Sequence, residues 1–275
     1  MTKHLRLAEA AQLANSRHVL GISGGKDSAA LAIYLRDHYP DIHNRIEYFF
    51  TDTGAELQEI YDFLDKLEAY LGKEIRKLSP ERDFEHWLKI HNNYLPSPRQ
   101  RWCTSMMKIK PFERFVGNDP VVTYIGIRAD ENREGYVSQK ENIQAVFPFM
   151  EDGLIRADIF RILENTVGIP EYYRWRSRSG CYFCFFQRQD EWLGLKREHP
   201  DLFADAVRIE KEAGQGYTWV QGKTLEEVVA HAEKTEGTRT ASRNAKNVHI
   251  IKWQDALRDQ EDDDPEDQAC MICSL

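Results

Sequence analysis

The chain has 275 residues and a formal net charge of −8, with 41% hydrophobic and 30% charged residues. This composition is ordinary for a soluble globular protein, whereas a chain that gripped duplex DNA through its bulk charge would be basic. No apolar run approaches the ~20 residues that cross a bilayer, and no apolar signal core follows the N-terminus. We therefore expect a cytoplasmic protein without membrane contact.

Short apolar runs typical of buried strands alternate with segments of helical periodicity. Strands are predicted over 18–22, 46–51, 73–78 and 121–127, and helices over 28–36, 57–71, 84–90 and 157–167. This alternation predicts an α/β fold, in which a parallel sheet is joined by crossover helices. Ligands of such sheets bind beyond the carboxyl ends of the strands.

The pattern changes after residue 187. A helix is predicted over 201–213, and Thr224 with Glu227 forms a capping box that opens another. The polar stretch 236–247 is typical of a linker, and the acidic run 259–267 is typical of a solvated tail. We therefore expect one domain over 1–187 and a small, mainly helical C-terminal region over 188–275.

A glycine-rich turn joins the first predicted strand to the first predicted helix, and residues 21–28 read Gly-Ile-Ser-Gly-Gly-Lys-Asp-Ser. Glycines let the backbone approach an anion, and a helix N-terminus offers unpaired N–H groups. This is not a Walker A motif, because Asp27 follows the lysine. The residues expected to hold nucleotide phosphates are Ser23, Gly24, Gly25, Lys26, Asp27 and Ser28.

Ser-Gly-Gly-x-Asp-Ser is the signature of the PP-loop ATP pyrophosphatases, and residues 23–28 resemble it closely. The resemblance implies the adenine nucleotide alpha-hydrolase-like form of the α/β fold. It also implies that ATP binds with Mg²⁺ and is cleaved between its α and β phosphates while an acceptor is adenylated. A related branch, the phosphoadenosine phosphosulfate (PAPS) reductases, keeps the fold but binds an already activated sulfate nucleotide.

Asp52 and Thr53 follow the second predicted strand. A carboxylate at that position suits Mg²⁺ or a ribose hydroxyl, and the PAPS reductase-like branch carries a similar Asp-Thr-Gly element ending in Glu. The alternative is a helix cap, because Asp and Thr favour helix starts.

Two further elements resemble the same branch. Residues 101–104, Arg-Trp-Cys-Thr, precede Lys108 as in its Trp-Cys-Thr…Lys motif, and Gly126, Arg128 and Arg133 resemble its Gly-x-Arg…Glu…Arg element. Arginine forks suit phosphate oxygens, so Arg128 and Arg133 are expected to hold the substrate phosphate; surface salt bridges are the alternative. Lys108 and Gly126 are expected in the nucleotide site, and the expected catalytic groups are Lys26, Asp27, Arg128 and Arg133.

The odd number of cysteines, five, argues against a disulfide framework. Cys181 and Cys184 form a Cys-x-x-Cys pair, and the family resemblance brings Cys103 to them. Three thiols suit a 4Fe–4S iron-sulfur cluster with one open iron, or zinc with a fourth ligand; buried free cysteines are the alternative. Cys270 and Cys273 form a second pair, which would complete a four-cysteine site, relay a persulfide or have no role.

The loop, the Trp-Cys-Thr element and the Gly-Cys-x-x-Cys element together are most similar to the PAPS reductase-like group that includes the DNA phosphorothioation proteins DndC and SspD. That resemblance implies adenylation of a DNA phosphate, so that sulfur from a cysteine desulfurase replaces an oxygen. The acidic balance implies that partner DNA-modification subunits hold most of the DNA.

Three alternatives stand beside this interpretation. The first two are a sulfonucleotide reductase and a tRNA-thiolating enzyme, although the tail 268–275 lacks the Glu-Cys-Gly-x-x-His element of assimilatory reductases. The third is a non-catalytic docking subunit for a desulfurase, which the acidic run and the aromatic stretch 172–178 suggest.

Overall fold

A five-stranded parallel sheet forms the centre of the computed structural model, which describes residues 5–131, 140–214 and 216–246. The strands are β1 (Arg17–Gly21), β2 (Ile46–Thr51), β3 (Ile75–Leu78), β4 (Val121–Tyr124) and β5 (Ile143–Val146). Their order across the sheet is β3-β2-β1-β4-β5, and every neighbouring pair is parallel. The predicted α/β fold is confirmed.

Helices join the strands and continue beyond the sheet. They are α1 (Leu7–Gln12), α2 (Lys26–His38), α3 (Pro40–Arg45), α4 (Gln58–Leu71), α5 (Phe84–Ile90), α6 (Trp102–Thr104), α7 (Lys110–Val116), α8 (Pro148–Glu151), α9 (Arg156–Glu164), α10 (Gln189–Glu198), α11 (Pro200–Ala213) and α12 (Leu225–Lys246). A π-helical turn, Ser105–Ile109, joins α6 to α7, and a 3₁₀ turn spans Glu171–Arg174.

The strands are apolar because helices cover both faces of the sheet. In the central strand, Leu20 is fully buried and lies in register with Tyr48 of β2 and Tyr124 of β4. The apolar stripe of α4 predicted from the sequence also packs into the core, where Ile60, Leu64 and Leu67 are buried. Burial of this stripe places α4 beside the loop that follows β1.

The sequence-based prediction missed β5 and made β4 too long. β5 has only four residues, one of them the exposed Gln144, so periodicity alone does not reveal it. β4 ends at Tyr124. Beyond it, the Ile125 amide donates one hydrogen bond of 3.0 Å to the Val146 carbonyl. Residues 125–131 therefore form a loop, which leaves Gly126 and Arg128 outside the sheet.

Three helices form the C-terminal region, in which α10 packs against α11 and α12. The capping box is confirmed, because the Thr224 amide donates to Glu227 at 3.0 Å and the Glu227 amide donates back to the Thr224 hydroxyl at 3.3 Å. The predicted linker is wrong over 236–246, where α12 continues. Extending a nucleated helix costs little, and this stretch contains no proline.

None of the helices in the described part of the chain is both long enough and apolar enough to cross a membrane. The division of the chain at residue 187 stays a prediction.

The loops after β1, β2 and β4 meet at one edge of the sheet, since the three strands are parallel neighbours. The residues brought to this edge are those of the glycine loop, Asp52 with Thr53, and Gly126 with Arg128. The edge is therefore where a ligand of this fold is expected.

Candidate functional site

The glycine loop is tightly packed at two of its glycines. Gly24 has φ +74°, and a Cβ atom there would lie 2.6 Å from Cγ2 of Ile60 on α4. A Cβ atom on Gly25 would lie 2.8 Å from the Ser179 hydroxyl. The loop is therefore held between α4 and the segment that leads to Cys181.

Serine hydroxyls hold the loop from within. The Ser23 amide donates to the Ser28 hydroxyl at 3.1 Å, and the Gly25 amide donates to the Ser23 hydroxyl at 3.3 Å. The amide of Lys26, which opens α2, donates to the Tyr173 hydroxyl at 3.0 Å. These amides at a helix start are the groups that bind phosphate oxygens in glycine loops.

Asp27 links the two cations of the site. Its carboxylate accepts from the Lys26 ammonium at 3.0 Å and from the Arg128 guanidinium at 2.9 Å. Burial opposes the charge on Asp27, but Lys26 and Arg128 outweigh it and hold the pKa of this carboxyl below its ordinary value. Burial also acts to lower the pKa of the Lys26 ammonium. The negative charge of Asp27 outweighs burial, so the pKa of Lys26 is raised. Both groups are therefore charged at neutral pH.

Arg128 is 2% exposed and pairs with three carboxylates, those of Asp27, Asp130 and Glu131. These ion pairs hold the Arg128 guanidinium against Asp27. Arg128 therefore positions Asp27 and, through Asp27, the Lys26 ammonium. Gly126 brings the two loops together, since a Cβ atom there would lie 3.0 Å from the Asp27 carbonyl oxygen.

The polar groups after β2 bind mainly one another. Asp52 accepts from the Gly54 amide at 2.9 Å and from the Tyr61 hydroxyl at 2.7 Å, and the Thr53 hydroxyl donates to Glu56 at 2.7 Å. Burial raises the pKa of the Glu56 carboxyl. The contacts are those of a structured turn, and Thr53 also reaches the wall of a neighbouring cavity.

That cavity contains the three central cysteines, and we call it the thiol cavity. It encloses about 540 Å³, including space open to solvent. Its lining residues are mostly apolar and comprise Thr53, Phe84, Pro96, Cys103, Thr104, Met107, Lys108, Gly180, Cys181, Phe183, Cys184, Phe185, Phe186 and Trp219. Lys108, which the sequence predicts in the nucleotide site, lines this cavity beside the thiols.

The thiols differ in electrostatic surroundings. A hydrogen bond between Cys181 and Cys184 lowers the pKa of Cys184 well below its ordinary value, helped by Arg178 and Arg176, and raises the pKa of Cys181. Burial raises the pKa of Cys103 to about 11. A guanidinium nitrogen of Arg178 lies 3.7 Å from the Cys184 sulfur. Cys184 is therefore the thiol with the most thiolate character.

The thiol cavity is where the sequence predicts a metal centre. Within residues 5–131, 140–214 and 216–246, no three His, Cys, Asp or Glu side chains converge as metal ligands, although all three central cysteines are free and line one cavity. A hydrogen bond joins Cys181 to Cys184. The iron-sulfur or zinc site at Cys103, Cys181 and Cys184 stays a prediction.

One segment ties the glycine loop to the thiols, and sequence reasoning missed it. The Tyr172 hydroxyl donates to the Gly24 carbonyl at 2.8 Å, and the Ser179 hydroxyl donates to that of Ser23 at 3.3 Å. Further along, the Tyr182 amide donates to the Ala55 carbonyl at 2.8 Å. The aromatic stretch 172–178 is one of the two features that suggest a docking subunit, and its Tyr172, Tyr173 and Arg176 are buried.

The structure thus groups most of the predicted site residues in two adjoining places. Ser23, Gly24, Gly25, Lys26, Asp27, Ser28, Gly126 and Arg128 surround the glycine loop, and Thr53, Cys103, Lys108, Cys181 and Cys184 surround the thiol cavity. Asp52 lies in the turn between them. Arg133, Cys270 and Cys273 lie outside the described residues.

Comparisons with known proteins cover the residues around the glycine loop. Residues 17–151 match the family model described as the phosphoadenosine phosphosulfate reductase domain. Two uncharacterized proteins of Methanocaldococcus jannaschii are 25% and 26% identical over 218 and 203 residues, which are 74% and 70% of this chain and 43% and 47% of theirs. Adenosine 5'-phosphosulfate reductase of Staphylococcus haemolyticus is 26% identical over 133 residues, 46% of this chain and 53% of that one.

The chain therefore spans about half the length of the curated relatives it matches. A crystal structure of PAPS reductase from Candida auris, in a phosphate complex, matches with a TM-score of 0.44 and 16% identity over 57% of this chain and 76% of that one. The span of the family model runs from the first residue of β1 to the last residue of α8 and includes the glycine loop, Cys103 and Arg128, but ends before Cys181. Residues 17–151, just under half of the chain, are therefore similar to the phosphoadenosine phosphosulfate reductase domain.

Proposed function

We propose that this chain binds ATP at the glycine loop and cleaves it between the α and β phosphates while adenylating an oxygen of an acceptor. The observation that carries the proposal is the glycine loop, where tightly packed glycines, two serine hydroxyls and Lys26 gather at the start of α2. Charge develops on the pyrophosphate that leaves, and fixed N–H donors with a lysine stabilise such charge.

Each charged group then has a defined task. Lys26 would meet the β and γ phosphates, while Arg128 holds Asp27 and Asp27 holds the Lys26 ammonium in place. Mg²⁺ enters with the phosphates of ATP, and a site of this kind needs only one or two protein carboxylates. The half-buried Asp52 is the carboxylate that would meet the Mg²⁺ of the substrate.

We further propose that the adenylated acceptor is a phosphate. A persulfide carried on one cysteine of the thiol cavity attacks the phosphorus, and the oxygen leaves with AMP. A second thiol of the cavity then cleaves the S–S bond, which releases the phosphorothioate and leaves a disulfide that an external thiol reduces. This step is supported by the thiol cavity, which adjoins the glycine loop through residues 172–184. A DNA phosphodiester is the acceptor that the sequence resemblance favours, with a cysteine desulfurase as sulfur donor and partner subunits holding the DNA. Cys103, Cys181 and Cys184 are the residues that would hold an iron-sulfur cluster or zinc, and no step is assigned to that group.

A sulfonucleotide reductase is the second candidate. It is favoured by the match of residues 17–151 to the PAPS reductase domain and by the likeness to an adenosine 5'-phosphosulfate reductase. In that case the glycine loop would hold a nucleotide that is already activated, and no pyrophosphate would form.

The test compares substrates on the purified full chain. ATP, with and without DNA and a cysteine desulfurase, should give AMP and pyrophosphate, whereas adenosine 5'-phosphosulfate and PAPS should give no sulfite. Lys26→Ala should abolish pyrophosphate release, and Lys89→Ala is the control because Lys89 is exposed on α5. Retained turnover in Lys26→Ala would refute the loop assignment. Sulfite production would favour the reductase, and no turnover of any nucleotide would favour a docking role.

A further inference from the structure

Two arginines meet one aromatic ring at the wall of the thiol cavity. The guanidinium carbon of Arg178 lies 4.7 Å from the centroid of Phe186, and that of Arg101 lies 5.4 Å from it. Arg101 directly precedes α6, and Arg178 belongs to the segment before Cys181, so residues distant in sequence build the cluster. Phe186 itself lines the thiol cavity together with Cys184.

Arg101 has buried hydrogen-bonding groups that the described part of the chain leaves unpaired. Its Nε and Nη2 atoms are buried and have no hydrogen-bond partner among the described residues. A buried N–H without a partner costs free energy, so such a group normally binds a water molecule or an ion. The residue as a whole is half-buried, which leaves a side from which a ligand can approach.

The surroundings of this cluster are positively charged. Arg178 donates to the Cys184 sulfur at 3.7 Å, and the buried Arg176 donates to the carbonyls of Gly180 and Cys181 at 3.1 Å and 2.8 Å. Among the described residues that line the thiol cavity none carries a carboxylate, and the buried Glu56 acts on Cys181 from behind this lining. The two positive charges of Arg101 and Arg178 exceed the single negative charge of a Cys184 thiolate. A further negative charge would therefore be stabilised here.

We propose that Arg101 and Arg178 bind a tetrahedral oxyanion, a phosphate or sulfate group, beside Cys184. Planar guanidinium forks match the oxygens of such groups and bind them through paired hydrogen bonds. The neighbour of Arg178, Ser179, contacts Ser23 of the glycine loop, so the oxyanion would lie between the nucleotide and the thiols. This assignment rests on the proposed function only in naming the oxyanion as the acceptor's phosphate; anion binding itself is independent of ATP cleavage.

The test uses two thiol reagents of similar size and opposite charge, a sulfonatoethyl and a trimethylammonioethyl methanethiosulfonate. The full chain is treated with each, and the modification rate at Cys184 is measured by peptide mass spectrometry. The sulfonate reagent should be preferred, and Arg101→Gln should reduce that preference roughly tenfold or more, as expected for loss of one charge-assisted hydrogen bond. Arg99→Gln is the matched control, because Arg99 is exposed two positions away, and it should leave the preference unchanged.

Competition identifies the source of the oxyanion. Inorganic sulfate and a dinucleotide with one phosphodiester should each slow the sulfonate reagent in the wild-type chain but not in Arg101→Gln. Stronger protection by the dinucleotide would assign the site to a nucleic-acid phosphate, and stronger protection by sulfate would assign it to a small sulfo or phospho compound. Protection by neither would overturn the proposal.

A calorimetric titration covers the case in which Cys184 resists both reagents. Sulfate is titrated into chain saturated with ATP, so that the glycine loop is already occupied. Binding that is present in the wild type, lost in Arg101→Gln and partly restored in Arg101→Lys supports the site; the same heat in the wild type and Arg101→Gln refutes it. Failure of Lys26→Ala to affect ATP turnover would leave this result standing, which separates the two proposals.

Discussion

The packing of Gly24 allows two separate costs of one substitution to be measured. Gly24→Ala places a side chain at φ +74°, and its Cβ atom would lie 2.6 Å from Ile60 Cγ2. The left-handed conformation costs a residue with a side chain about 1–2 kcal/mol, and overpacking a buried position costs about 1–3 kcal/mol. We therefore expect Gly24→Ala to lower the free energy of unfolding by roughly 2–5 kcal/mol, as the sum of these two costs.

Three further variants separate the conformational cost from the overpacking cost: Gly72→Ala, Ile60→Ala, and the double variant that combines Gly24→Ala with Ile60→Ala. Gly72 has φ +65° with nothing within 4 Å of its Cβ position, so Gly72→Ala should show the conformational cost alone, about 1–2 kcal/mol. Ile60→Ala removes the atom that Gly24→Ala meets and costs about 2–5 kcal/mol by itself. The double variant should be more stable than the sum of the single losses by about 1–3 kcal/mol, because the clash is absent from it.

Urea unfolding followed by circular dichroism measures all four chains against the wild type. Additive losses in the double variant would refute the close approach of the glycine loop to α4. Equal losses for Gly24→Ala and Gly72→Ala would refute it as well. ATP binding measured on the same chains then shows whether displacing the loop weakens the nucleotide site.

The remaining predictions concern the start of α2. Asp27→Asn should lower the free energy of unfolding by about 2–4 kcal/mol, because Lys26 and Arg128 lose a shared counter-charge. Since the pKa of Asp27 is held below its ordinary 3.8, this stabilisation is complete above about pH 4 and is lost as the pH falls further, so urea unfolding should give a constant difference from wild type between about pH 7 and pH 5. A difference that shrinks across that interval would contradict the ion pair. Tyr173→Phe should cost about 1 kcal/mol of stability without weakening ATP binding, because a phosphate oxygen replaces the hydroxyl on the Lys26 amide; weaker binding would show that Tyr173 itself contacts the nucleotide. Gly126→Ala should slow pyrophosphate release roughly tenfold or more, because its Cβ atom meets a backbone oxygen that cannot move aside alone, and an unchanged rate would contradict that packing.

Local sequence was sufficient for the elements with strong patterns. The apolar run before the glycine loop predicted β1, the periodic stripe from Leu57 to Leu71 predicted α4, and helix 84–90 has the bounds that were expected. The capping box at Thr224 was also correct. Each of these depends on neighbouring residues only, which is why a single sequence contains the information.

The site was predictable in its residue types but only partly in its arrangement. The glycine loop and Gly126 carry recognisable motifs, and the structure brings them into contact. Lys108, which is expected in the nucleotide site, lines the thiol cavity, and Tyr172 of the stretch 172–178 is fully buried and contacts the glycine loop. A motif identifies the residue types of a site. The side chains that contact these residues belong to segments distant in sequence, so a local pattern does not identify the contacts.

By itself, the sequence determined the parallel α/β fold and a phosphate-binding turn at the start of α2, because apolar periodicity, glycine and helix capping act over a few residues. Only the tertiary structure decided that Asp27 joins Lys26 to Arg128, that Ser179 reaches Ser23, and that Arg101 and Arg178 share Phe186. These contacts join segments separated by long stretches of chain, and their geometry depends on how the helices pack on the sheet. Burial and these long-range partners together then set the charge states of groups such as Asp27 and Lys26, which no local pattern encodes.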